Sequence, residues 1–242
     1  MGQKVPEGPP SSVALSSTVS AAAVRTAGER STPGGGAGRP TTMLVEVGEA
    51  DIREQVRVEK LANLVIVAVD ASGSMGAARR MEAAKGAVLA LLLDAYQHRD
   101  RVAMVAFRGE RAEVLLRPTG SVEVARARLE ELPTGGRTPL AAGIRLSLDL
   151  ASQARKGPYR PVVVLVSDGR ATHADGGGDP LEEAAAAAGE LSRAGVPAVV
   201  VDAEEGPVRL GLARVLAEAM GAKVLEVDDL AGGALKSLLR IG

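Results

Sequence analysis

The 242-residue chain contains no cysteine and no tryptophan. Lacking cysteine, it has no disulfides, no thiolate metal sites and no thiol nucleophile. Its only aromatic residues are Tyr96, Phe107 and Tyr159. So few rings exclude a base-stacking platform and leave the core to Ala, Val, Leu and Ile. A formal net charge of -1 is not that of a surface built to neutralise phosphates, so nucleic acid is not an expected partner. No apolar run approaches the roughly eighteen residues of a membrane helix, and no membrane span is expected. Val13 to Val24 is interrupted by Ser and Thr and is no signal-peptide core. The expectation is a cytoplasmic protein.

What is present divides unevenly. Residues 1–40 cluster Pro, Gly, Ser, Thr and Ala without a period of 2 or 3.6, the composition of a disordered tail or linker. Within them, GGGAGRP at 34–40 lacks the Lys-Ser/Thr end of a phosphate-binding loop. Residues 41–60 form a charged lead-in where a short strand is expected, then a helix or second strand. Residues 61–242 have the size of one α/β domain.

That domain opens on Leu64 to Gly76, LVIVAVDASGSMG. An apolar run without polar alternation is a strand buried on both faces, as in the middle of a parallel sheet. Pro161 to Ser167, PVVVLVS, is a second such run, and Pro197 to Asp202 follows. Val102–Phe107 and Ala112–Leu116 are strands joined by a connector far too short for a parallel crossover, so they form an antiparallel hairpin at a sheet edge. Helices are expected over Arg79–Tyr96, where Met81, Ala84, Val88, Leu91 and Leu92 recur at helical steps, and over Ser121–Glu131, Leu140–Ala154, Pro180–Arg193, Val208–Met220 and Leu230–Leu239. A short strand is expected at Lys223–Val227. The predicted fold is α/β: a doubly wound, mostly parallel sheet of about six strands with one antiparallel edge strand and helices on both faces.

In such a sheet, loops at the carboxyl ends of strands hold the ligands, at the point where the winding reverses. Asp70, Ser72 and Ser74 leave the first strand, Asp168 leaves the Pro161 strand, and Thr138 precedes Pro139 at a helix start. These residues are expected to converge from three loops. Two carboxylates and three hydroxyls are hard oxygen donors, suited to Mg²⁺, with Mn²⁺ or Ca²⁺ as alternatives. Such a set leaves the cation an appetite for one more anionic oxygen, and another protein's Asp or Glu is the natural donor. Arg137 could attract an acidic partner there, or be a solvated loop charge. His173, Asp175 and Asp179 are expected to form a polar loop rather than a second metal site. His98 closes a helix where a cation suits the dipole.

Asp-x-Ser-x-Ser at 70–74, Gly-Gly-x-Thr-Pro at 135–139 and Ser-Asp-Gly at 167–169 resemble the von Willebrand factor A or integrin I domain and its metal-ion-dependent adhesion site. The resemblance covers residues 61–230 and all five ligand positions. DIREQVRVEKLANL at 51–64, RMEAAKGAVLALLLDAYQHRDRVAMVAFRG at 80–109 and AEVLLRPTGSVEVARARLEELPTGGRTPLAAG at 112–143 resemble the C-terminal, integrin-I-like region of the D subunit of magnesium chelatase, a region also seen in cobaltochelatase relatives. That resemblance implies a non-catalytic interaction module whose partners are an AAA+ ATPase subunit and a large chelatase subunit acting in porphyrin metalation. The sequence shows no AAA+-like domain, so a free-standing adhesion protein or an excised domain is the alternative. A Mg²⁺-dependent phosphohydrolase of the haloacid dehalogenase type is a further one, disfavoured because Ser72 stands where that chemistry needs a general acid.

Overall fold

The computed structural model describes residues 2–5, 13–29, 45–56, 62–76, 78–204 and 209–227. The chain divides into two compact units, Met1–Lys60 and Leu61–Gly242.

In the first unit, β1 (Gly2–Lys4) pairs antiparallel with β2 (Glu54–Val56). Between them in sequence lie helix α1 (Leu15–Glu29) and a 3-10 turn, Glu49–Asp51. The α1 helix corrects the expectation that residues 1–40 lack regular structure. Its larger apolar residues, Leu15, Val19 and Val24, are exposed while small Ala22 and Thr18 are buried, so the hydrophobic pattern does not mark its buried face. Tertiary contacts supply what the local pattern lacks: Ala22 and Thr18 are buried, the Thr18 hydroxyl accepts from Arg53 N–H at 3.0 Å, and Arg25 pairs with buried Asp51 at 2.9 Å. The glycine-rich GGGAGRP segment lies outside the described residues, as does the expected helix Leu230–Leu239.

The second unit is built on a six-stranded sheet. Its strands are β3 (Ala62–Asp70), β4 (Arg101–Arg108), β5 (Arg111–Thr119), β6 (Tyr159–Ser167), β7 (Ala198–Asp202) and β8 (Lys223–Glu226). Their order is β5-β4-β3-β6-β7-β8, with only the β4–β5 pair antiparallel. The short connector thus closes an edge hairpin, and β3 lies at the reversal of winding, between β4 and β6.

Alternation along β3 assigns the helices. Val65, Val67 and Val69 face a cluster containing Met81, Val88 and Leu92 of α2 (Ala78–Gln97) and Leu129 of α3 (Val122–Glu130). Leu64, Ile66 and Ala68 face Ile144 of α4 (Leu140–Ala154), Leu191 of α5 (Pro180–Arg193) and Leu216 of α6 (Leu212–Met220). Both faces are covered, which is why the strands read as unbroken apolar runs. Burying each such side chain is worth about 1.5–3 kcal/mol, enough to make the sheet a rigid platform for its loops. Phe107, fully buried, sits under Gly143 of α4, where a Cβ would lie 2.5 Å from its ring. The expected start of α6 at Val208 shifts to Leu212, after Gly211 in the left-handed region. Among the described residues, no helix is long and apolar enough to cross a membrane.

Candidate metal centre

The site forms where β3 and β6 end. Val69 pairs with Val166, so the next residues, Asp70 and Ser167, come abreast. The Ser167 hydroxyl donates to Asp70 Oδ2 at 2.8 Å, and Ser72 N–H donates to Oδ1 at 2.9 Å. Asp70 is fully buried. Burial pushes its carboxyl up to about 6; hydrogen bonds from Ser72 and Ser167 oppose the rise, and the nearby negative charge of Asp168 adds to it.

Asp168 occupies the equivalent place after β6 and is also fully buried. Its Oδ1 accepts from Arg170 N–H at 3.1 Å, repeating the turn made by Asp70 and Ser72. Its Oδ2 is buried and makes no hydrogen bond among the described residues. Buried carboxylate oxygens that accept no hydrogen bond are rare; the Arg170 guanidinium, with Nε at 3.5 Å, faces this one as a charge and not as a hydrogen-bond donor.

The third loop is laced to the first. Gly135 N–H donates to Ala71 O at 2.8 Å, Gly73 N–H donates to Gly136 O at 2.9 Å, and Gly109 N–H donates to Arg137 O at 2.8 Å. Gly135 and Gly136 both have positive φ, 125° and 84°, which is why glycines precede Arg137 and Thr138. Thr138 is 1% exposed. Its N–H donates to the Thr172 hydroxyl at 2.8 Å, and its carbonyl accepts from the N–H groups of Thr172 and His173 at 3.1 and 3.3 Å. Thr138 therefore belongs to a segment bonded to both flanking loops.

Asp70, Ser72 and Asp168 thus form one cluster, with Thr138 buried on a strap tied across it. Ser74 lies in the 3-10 turn Gly73–Gly76, and its side chain falls outside the described residues. Arg137 is exposed and offers its backbone carbonyl to the hairpin turn. His173 lies 3.5 Å from Asp175, while Asp179 accepts from Leu181 N–H at 2.7 Å to cap α5. Among the described residues, no group of three or more His, Cys, Asp and Glu side chains is placed to hold a metal. A cation here would need the hydroxyls as well as the two carboxylates. That mixture of hard oxygens fits Mg²⁺, with a buried anionic oxygen that, among the described residues, accepts no hydrogen bond and has only the Arg170 guanidinium 3.5 Å away as its ion-pair partner.

Three participants have no role assigned from the sequence: Ser167, although it stands in the Ser-Asp-Gly motif, Arg170 and Thr172. Strand register supplies the role of Ser167, since it falls opposite Asp70 only once β3 and β6 are paired. Asp202 repeats the pattern on β7, its Oδ1 accepting from Glu204 N–H at 2.9 Å, and burial raises its carboxyl. Glu204, although burial pushes it upward, is held low by N–H donors from Leu210 and Gly211 at 2.7 and 3.0 Å.

The family model for the von Willebrand factor type A domain matches residues 65–170. Over 182 residues the chain is 48% identical to Rv2850c, an uncharacterized protein of Mycobacterium tuberculosis, an alignment covering 74% of this chain and 28% of that one. Over 171 residues it is 44% identical to the magnesium-chelatase 60 kDa subunit of Cereibacter sphaeroides, covering 69% of this chain and 30% of that protein. The chain therefore spans less than a third of the length of these relatives. Among solved structures, the SpRpn10 VWA domain superposes with a TM-score of 0.55 at 14% identity, covering 72% of this chain and 95% of that domain, a likeness of fold.

Proposed function

Because the chain belongs to the von Willebrand factor type A domain family, we propose that its second unit is a metal-dependent protein-interaction module. Asp70, Ser72, Ser74, Thr138 and Asp168 would hold Mg²⁺, directly or through water. Bound there, the ion supplies a Lewis-acidic position open to an outside carboxylate. The observation that carries this reading is the buried Asp168 Oδ2, without a hydrogen bond, in a cluster with a second buried carboxylate. The protein's own part is to keep the donors dry and fixed. Ser167 and Ser72 orient Asp70, and the Thr172 hydroxyl and backbone clamp Thr138.

Similarity to magnesium-chelatase subunits supports placing the module in a chelatase-type assembly, where it would bind an Asp or Glu of an AAA+ ATPase subunit or of a large chelatase subunit. The test is capture of partners from the source cell on the immobilised chain, with Mg²⁺ or with EDTA. The expected result is a partner retained only with Mg²⁺ and lost with Thr138→Ala. Retention in EDTA, or turnover of a generic phosphate ester that disappears with Asp70→Asn, would contradict the reading.

A further inference from the structure

We infer that Arg170 is a built-in counter-cation for Asp168, one that holds the metal-free site together and competes with a divalent cation for the same carboxylate. The inference rests on the metal-binding reading above and deepens it.

The geometry is specific. Arg170 Nε lies 3.5 Å from Asp168 Oδ2. These are the two buried side-chain polar atoms that lack any hydrogen-bond partner among the described residues, and they face each other. The Arg170 side chain is 43% exposed, whereas that of Asp168 is 0% exposed. One end of the guanidinium thus reaches the buried anion while the rest meets solvent. An uncompensated buried carboxylate is costly, more so with Asp70 charged nearby, and a cation at 3.5 Å offsets that cost. Yet the contact is a charge pair without a hydrogen bond, so Arg170 can give up Asp168 without leaving a broken hydrogen bond behind. The turn bond from Arg170 N–H to Asp168 Oδ1 is made by the backbone and survives such a movement. Glu204, whose carboxylate also feels the Arg170 charge, offers the guanidinium an alternative anion.

The experiment is calorimetric titration of the full chain with MgCl₂, paired with thermal unfolding in EDTA, for wild type, Arg170→Gln and Arg170→Lys. Arg170→Gln is expected to bind Mg²⁺ about twofold to fivefold more tightly, in the range of a part-exposed charge pair, and to melt lower than wild type in EDTA. Arg170→Lys keeps the charge and is expected to bind like wild type. An affinity in Arg170→Gln equal to or weaker than wild type overturns the inference while leaving the metal site standing. So does Arg170→Lys binding as tightly as Arg170→Gln. If wild type takes up no Mg²⁺, the metal-binding reading fails, and the inference with it.

Discussion

Ser167 donates a 2.8 Å hydrogen bond to Asp70 across the β3–β6 pair, from 97 residues away in sequence. Its oxygen also accepts from Gly169 N–H at 3.1 Å, so one hydroxyl orients both the first carboxylate and the turn that carries the second. Ser167→Ala removes a buried hydrogen-bond donor from Asp70 Oδ2. We expect a stability loss of about 1–3 kcal/mol by urea unfolding, together with weaker Mg²⁺ binding.

Asp70 makes stability depend on pH with a definite sign. Its carboxyl, raised by burial from 3.8 to about 6, holds its proton more tightly when folded than when unfolded. The stabilising contribution of this group is complete below the unfolded value and is lost as pH rises through the folded value. Above it, the buried charge costs the metal-free protein about 3 kcal/mol. Asp70→Asn should therefore melt higher than wild type in EDTA at pH 7, yet gain nothing from Mg²⁺. In wild type, the Mg²⁺-induced rise in Tm should fade below pH 6, as protons compete for the carboxylate.

Thr172 clamps Thr138 through its side chain as well as its backbone. Thr172→Val removes the 2.8 Å bond to Thr138 N–H. We expect about 1 kcal/mol of lost stability in thermal unfolding and a larger proportional loss in Mg²⁺-dependent partner capture. Thr172→Ser, which keeps the hydroxyl, should restore both.

Two helix glycines should respond oppositely to alanine. At Gly143 a Cβ would stand 2.5 Å from the Phe107 ring, and overpacking there should cost about 1–3 kcal/mol in urea unfolding. At Gly86 of α2 nothing lies within 4 Å, so Gly86→Ala should stabilise by about 1 kcal/mol.

The sheet was legible because β3 and β6 are too apolar to be anything but doubly covered strands, and because Arg108 to Arg111 is too short for a crossover. The placement of Asp70, Ser72, Thr138 and Asp168 was legible because Asp70 and Asp168 end apolar strands, Ser72 precedes Gly73 in the first strand's exit loop and Thr138 precedes Pro139 at a helix start. The role of Ser167 was not, although it stands in the Ser-Asp-Gly motif, since only strand register sets its hydroxyl opposite Asp70. Arg170 and Thr172 look like ordinary loop residues, and their roles arise from contacts with Asp168 and Thr138 that only the folded loops create. Helix α1 was hidden for the opposite reason: Ala22 and Thr18 are buried, but their small side chains leave little trace in a hydrophobic pattern.

The most direct measurement is anomalous diffraction from crystals of the chain grown with Mn²⁺ in place of Mg²⁺. The account predicts a single strong peak among the oxygens of Asp70, Ser72, Ser74, Thr138 and Asp168, about 2.0–2.6 Å from those that coordinate it directly and farther from those that reach it through water. A peak at another site, or crystals that take up no Mn²⁺ at this cluster, would contradict it.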